Sequence, residues 1–165
     1  MTRRPLPFDP IEEARGRWDA GVGDAMAGAT SVMRAQQIVL AAVDGALRPL
    51  GLTFARYEGL VLLSFSRTGA LPLGAMGRRL MIHPTSVTNI VDRLERQGLV
   101  RRVPHPTDGR TTLAELTGAG RRLAAEATEA VNRTGFGLGA LDATDLAQLH
   151  RIVRKLRLAA GDFEE

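Results

Sequence analysis

The chain has no cysteine among its 165 residues. That excludes disulfides, thiolate metal sites, a cysteine nucleophile and thiol-oxidation sensing. Lysine is almost absent. Of 22 basic residues only Lys155 is not arginine. Aromatics are scarce, with one Trp, one Tyr and five Phe. Long apolar runs are missing as well. The longest, such as "IVLAAV" at Ile38–Val43, is too short to cross a bilayer. "MTRRPLPFDP" carries early arginines without a following apolar stretch, so no targeting segment is expected and a cytoplasmic setting is the default. Asn132-Arg133-Thr134 matches the glycosylation triplet, but by chance in a chain of that kind.

What remains is an ordinary globular composition, 44% hydrophobic and 24% charged, with net charge +4. A chain of this length buries a real core as one domain, residues 1–165. Arginine suits phosphate and base-edge contacts through its planar fork. A high-GC genome would enrich it equally well.

The first ten residues hold three prolines and read as loose. "DPIEEARGRW" then reads as a short helix, capped by Asp9, with Pro10 at its first position and Glu12 and Glu13 at its positive end. From Asp24 to Leu50, Met26, Met33, Val39, Leu40, Val43 and Leu47 recur at helical spacing, until Pro49 and Gly51 stop the pattern. A helix that long often pairs with something outside its own core. Thr53 is placed to cap the next helix, which would bury Phe54, Tyr57, Leu60 and Val61, with Phe65 as a further candidate. Leu71–Leu73 reads as a brief strand. A short helix after it would turn Met76 and Leu80 inward, with Arg78 and Arg79 nearby.

The most informative stretch is "MIHPTSVTNIVDRLERQGLVRR", Met81 to Arg102. Pro84 fits a first helical position, with His83 before it as a cap or phosphate contact. At about 100° per residue, Val87, Ile90, Val91 and Leu94 share one side. Thr85, Asn89, Asp92 and Arg96 fall opposite, with Ser86 and Arg93 on the flanks. Short polar groups let a helix approach a groove floor; Asn can read adenine and Arg can read guanine. Free N–H groups at the helix start can hold a phosphate. Asp92 argues the other way, unless it pairs with Arg96 at i,i+4 or anchors an arginine from elsewhere. Gly98 ends the helix. "LVRRV" and "TLAEL" read as strands around the turn "PHPTDGRTT". Arg110 would stand at or near the tip.

Two short helices followed by a basic-tipped, two-stranded hairpin make a winged helix-turn-helix. Its second helix enters the major groove and its wing places an arginine in the minor groove. The fold class expected is therefore mainly α. Residues 52–117 form the DNA-binding lobe. The candidate DNA contacts are Arg78, His83, Thr85, Ser86, Thr88, Asn89, Arg93, Arg96 and Arg110. After Thr117, a second cap, "GAGRRLAAEATEAVNRT" is a long helix that "GFGLGAL" breaks. Asp142 and Asp145 open the last helix as a capping box. Leu146, Leu149, Val153 and Leu156 form its apolar stripe. A small three-helix core does not need helices from both chain ends. Residues 9–50 and 118–160 are thus expected to build a two-fold dimer, suited to a near-palindromic operator in double-stranded DNA.

"HPTSVTNIVDRLERQGLVRR" with "DGRTTLAELT" resembles the MarR family of bacterial transcriptional regulators over almost the whole chain. The family's wing pattern falls on Asp108, Arg110, Leu116 and Thr117. The resemblance implies that Asp108 positions Arg110 near the minor groove and that Pro84–Gln97 reads the major groove. It implies a homodimeric regulator, commonly a repressor of nearby genes; the alternative is a member that activates or works without a small-molecule inducer. It also implies release by a small anionic or aromatic effector bound between the dimer helices and the DNA-binding lobe. The N-terminal helix with Trp18 is similar to a feature of the family's urate-responsive branch, although that branch's polar ligand set is not matched. Trp18 is therefore a weak ligand candidate, and packing at the dimer base is the plainer role.

An enzyme is not expected. His83, His105 and His150 share no catalytic or metal-ligating spacing, and "GALPLGAMG" lacks the lysine of a phosphate-binding loop. Neither a metal nor another cofactor is implied. A protein-interaction module without DNA binding is the remaining competitor; it would not explain Arg110 on a wing behind a polar, arginine-ended helix.

Overall fold

The computed structural model describes residues 5–19 and 21–164. Their backbone contacts gather into two compact units, 1–41 and 42–165.

In the first unit, α1 (Pro10–Arg15) starts where expected. The Asp9 carboxylate accepts the Ile11 N–H at 2.8 Å, and Gly16 stops the helix after the two acidic residues of its first turn. Arg15 then reaches Asp24 at 2.6 Å. α2 (Val22–Leu47) spans 26 residues, and its last turn belongs to the second unit. Along the first-unit part, Val32, Met33, Ile38 and Leu40 stay exposed. Val43 and Leu47, in the last turn, are fully buried. A 3-10 turn, Arg48–Leu50, closes on Gly51 at φ +68°, a left-handed geometry that glycine adopts without steric cost.

The second unit is built on α3 (Phe54–Ser64), which packs against α6 (Gly118–Arg133), α4 (Leu73–Leu80) and α5 (Pro84–Arg96). Three expectations for α3 need correcting. Thr53 occupies the cap position without making the cap bond; Asp44, from the end of α2, accepts the Phe54 N–H at 2.7 Å instead. Leu63 is buried, whereas Phe65 lies just beyond the last turn and is 82% exposed. Phe54 and Val61 are only half-buried. In α4, Met76 is fully buried and Leu80 only half so.

The short strand is β1 (Ala70–Pro72), one residue earlier than expected, and it joins the hairpin of β2 (Val100–Pro104) and β3 (Thr112–Leu116). The sheet is thus three-stranded and antiparallel, in the order β1-β3-β2, with Leu71 opposite Ala114 and Arg102 also opposite Ala114 on the far side. The Thr117 hydroxyl accepts the Gly120 N–H at 3.0 Å and so starts α6. Gly120 lets α6 close on the sheet, because a Cβ there would lie 2.0 Å from the Leu99 carbonyl oxygen. α7 (Ala143–Ala159) opens with the expected capping box of Asp142 and Asp145 and buries none of its residues. Among the described residues no single helix is long and apolar enough to cross a membrane.

Candidate nucleic-acid interface

The amphipathic reading of α5 sets its orientation. Val87, Ile90, Val91 and Leu94 are all buried, which pins one side of the helix to the lobe. The pattern leaves Thr85, Ser86, Thr88, Asn89, Arg93 and Arg96 exposed on the other side. Pro84 occupies the first turn, and His83 caps it by accepting the Thr85 N–H on Nδ1 at 3.2 Å. The same ring nitrogen lies 3.1 Å from the Thr85 hydroxyl. Thr88 returns its hydroxyl to the Pro84 carbonyl at 3.2 Å. The side chains of Ser86 and Asn89 make no hydrogen bond to described residues, so those polar groups are unspent.

Asp92, the awkward carboxylate, does not pair with Arg96. It anchors an arginine from elsewhere. Arg102, on β2, bridges Asp92 and Glu95 with its guanidinium, and its backbone N–H donates to Glu95 at 2.9 Å. Arg96 instead donates to the Asp92 carbonyl at 3.2 Å, along the helix. The neighbouring Arg101 pairs with Glu115 on β3 at 2.7 Å. The two arginines that follow the helix in sequence are therefore clasps of the wing. Glu95 was missed at the sequence level; its i,i+7 relation to Arg102 crosses a turn whose geometry periodicity does not report.

The wing turn is organised by Asp108. One carboxylate oxygen accepts the Thr111 hydroxyl at 2.6 Å and the other the Arg110 N–H at 3.1 Å. These two bonds, with nearby His105 adding a smaller share, hold the Asp108 carboxyl below its ordinary value. Asp108 thus holds Arg110 by the backbone. The guanidinium itself has no ion-pair partner among the described residues, and the same is true of Arg78 and Arg93. An open cleft of about 490 Å³ brings Arg78, from α4, together with Arg110, His105 and Thr111 of the wing. A second cleft, of about 610 Å³, lies between α4 and α5 and is mostly apolar, with Arg78 and Thr88 on its rim and Met81 within it. Arg78 lines both.

The other candidates lie outside these elements. Leu146 and Leu149 are 40% and 39% exposed, Leu156 is 61% exposed, and Val153 is half-buried. Ile152, not singled out beforehand, extends this apolar face. Trp18 is 55% exposed on a cleft of the first unit that it shares with Arg15, Glu12 and Asp24. Arg15 is already neutralised there by Asp24 and Glu12. Among the described residues no group of three or more His, Asp or Glu side chains is arranged to hold a metal.

Comparison with known proteins agrees with this geometry. The MarR family model matches residues 55–112, from the start of α3 to the end of the wing turn. The HTH-type transcriptional repressor Rv2887 of Mycobacterium tuberculosis is 34% identical over 116 residues, 69% of this chain and 81% of that protein. The crystal structure of Sco5413, a MarR family transcriptional regulator from Streptomyces coelicolor, is 54% identical; the match covers 86% of this chain and 99% of that one with a TM-score of 0.80. A MarR variant from E. coli, crystallised with operator DNA, shares the fold at 20% identity, covering 84% and 99% of the two chains with a TM-score of 0.74. With its winged lobe, its buried recognition-helix face and these matches, the chain belongs to the MarR family of winged helix-turn-helix transcriptional regulators.

Proposed function

We propose that the protein is a homodimeric repressor that binds a near-palindromic operator in double-stranded DNA, with α5 in the major groove and the wing arginine in the minor groove. The observation that carries this reading is the division of α5. Four apolar residues tie it to the lobe, while Thr85, Ser86, Asn89, Arg93 and Arg96 remain outside. Asn89 and Ser86 have spare hydrogen-bonding capacity for base edges, and Arg93 and Arg96 stand a turn further along for bases or phosphates. The expected free N–H groups are not there: the Thr85, Ser86 and Val87 amides all donate to His83, so a phosphate at the helix start would meet the Thr85 hydroxyl and the His83 ring. Arg78 and Arg110, sharing a cleft, are placed to grip the backbone and the minor groove together.

Dimerisation follows from the stripe on α7. Leu146, Leu149, Val153 and Leu156 lie on one face of a helix none of whose residues is fully buried. The exposed apolar residues of α2 supply a second such face. Repression is supported by the name of the mycobacterial relative, and DNA as the partner by the operator complex of the E. coli protein. A small anionic or aromatic effector that releases the duplex belongs to the same reading and rests on family membership. Trp18, beside Arg15, is its candidate contact.

The test is selection of bound fragments from the source genome, followed by fluorescence anisotropy on one selected duplex. Arg110→Ala should weaken binding by about 1–3 kcal/mol, and Asn89→Ala should shift preference among operator sequences more than it lowers non-specific affinity. A protein that holds no duplex even at low salt would end the DNA-binding reading. An Arg110→Ala variant that binds as well as wild type at moderate salt would remove the wing from it.

A further inference from the structure

Met81 occupies the turn between α4 and α5 with φ +54° and ψ +42°. Non-glycine residues pay about 1–2 kcal/mol for that left-handed geometry. The turn demands it: the Met81 and Ile82 N–H groups close the end of α4 on the carbonyls of Arg78, at 3.4 Å, and Gly77, at 3.1 Å. Glycine is the usual occupant of such a position, and this stretch uses glycine readily at Gly74 and Gly77. The side chain does not repay the cost by packing, since Met81 is 72% exposed. It stands in the apolar cleft between α4 and α5, with Pro84, Val87, Thr88 and Arg78 around it. Strain that brings no burial points to a partner outside the chain.

From this placement we infer that Met81 is a specificity residue that makes an apolar contact with the C5-methyl of a thymine in the operator. The inference rests on the DNA-binding reading above and deepens it. Along the major-groove edges of the base pairs, the thymine methyl is the apolar group, and a side chain with no donor and only a weakly accepting sulfur can read little else there. Arg78 beside the cleft and the polar start of α5 set the charge and hydrogen-bonding context expected of a groove wall. An unbranched thioether is long and pliable enough to follow a methyl group that the rigid helix cannot approach.

The experiment is a double-mutant cycle on a duplex selected from genomic fragments with the wild-type protein. Thymines of the half-site are replaced one at a time by uracil, which removes only the methyl. At one position the wild type should lose about fourfold in affinity, the worth of one buried methyl. Met81→Gly should bind the parent duplex more weakly by a similar factor and show no further loss at that uracil. Met81→Leu should keep most of the discrimination. The thermal midpoint of Met81→Gly should hold or rise. A fall of more than about 2 °C would mean that the side chain is retained for packing, and would overturn the inference. So would equal uracil losses in wild type and Met81→Gly, or unchanged affinity in Met81→Gly. If the wild type bound no duplex at all, the DNA-binding reading would fail first, a result separate from these.

Discussion

Two amphipathic helices of this chain, α5 and α7, meet opposite fates. Both begin with well-made caps, a His83 imidazole in one and an Asp142–Asp145 box in the other. Both carry an aliphatic stripe at helical spacing. In α5 the stripe closes against α3 and β2 of the same unit and disappears from solvent. In α7 it stays open, with Ile152 and Leu156 about as exposed as the polar residues around them. A good stripe therefore does not tell a helix where to pack. The difference is in what the chain places opposite it: α5 has three neighbouring elements, whereas the capped start of α7 follows a break in which Phe136 adopts a left-handed φ of 56°. The apolar side of α5 is committed within the fold. That of α7 is available to a second chain.

The strongest way to break this comparison is to truncate the two stripes alike. Leu94→Ala should cost about 3 kcal/mol in a denaturant titration, the usual toll of a fully buried leucine. Leu149→Ala, at an exposed site, should leave the midpoint of the lobe within about 0.5 kcal/mol at concentrations where the protein is monomeric. Comparable losses would show that α7 packs within the chain. Next in size, Leu149→Asp combined with Val153→Asp should convert the protein to monomers in sedimentation velocity while its helical circular dichroism is retained. A double variant that stays dimeric moves the interface elsewhere.

A smaller effect is expected at the clasp. Arg102→Ala should cost about 1–2 kcal/mol, because Asp92 and Glu95, held close together, lose the guanidinium between them. Arg101→Ala, whose own guanidinium lies mostly in solvent, should cost less than Arg102→Ala. An equal loss at both would contradict the clasp.

The smallest effect is a pH dependence at Glu58. This carboxyl is half-buried on α3, and desolvation raises it above its ordinary value. A raised carboxyl disfavours the folded state once ionised, so its penalty grows as pH rises through the shifted value and is absent below the ordinary glutamate range. Glu58→Gln should therefore raise the thermal midpoint at neutral pH and match wild type in acid. The opposite order would mean that a cation unseen in this chain pairs with Glu58.

The sequence marks its own punctuation well. Pro84 and Gly98 bound α5, Asp9 and Asp142 start their helices, and the turn residues from Pro104 to Arg110 betray the hairpin, because each acts through its immediate neighbours. The exposed face of α5 was legible for the same reason: facing directions on one helix follow from its period alone. What escaped reading depends on distant partners. Asp44 rather than Thr53 caps α3; Arg102 rather than Arg96 answers Asp92; Gly120 admits a carbonyl from Leu99. Phe65 was misplaced because a helical stripe was extended past the residue at which the helix stops.

The third strand has a mechanical consequence. β1 runs into α4 without an intervening loop, and it is hydrogen-bonded to β3, one arm of the wing. The stem of the helix pair and the root of the hairpin are thus one welded joint. The spacing between the α4–α5 pair and the root of the wing is therefore set by backbone pairing. In the dimer proposed above, a change in DNA affinity would then come from the distance between two such units and not from the spacing within one.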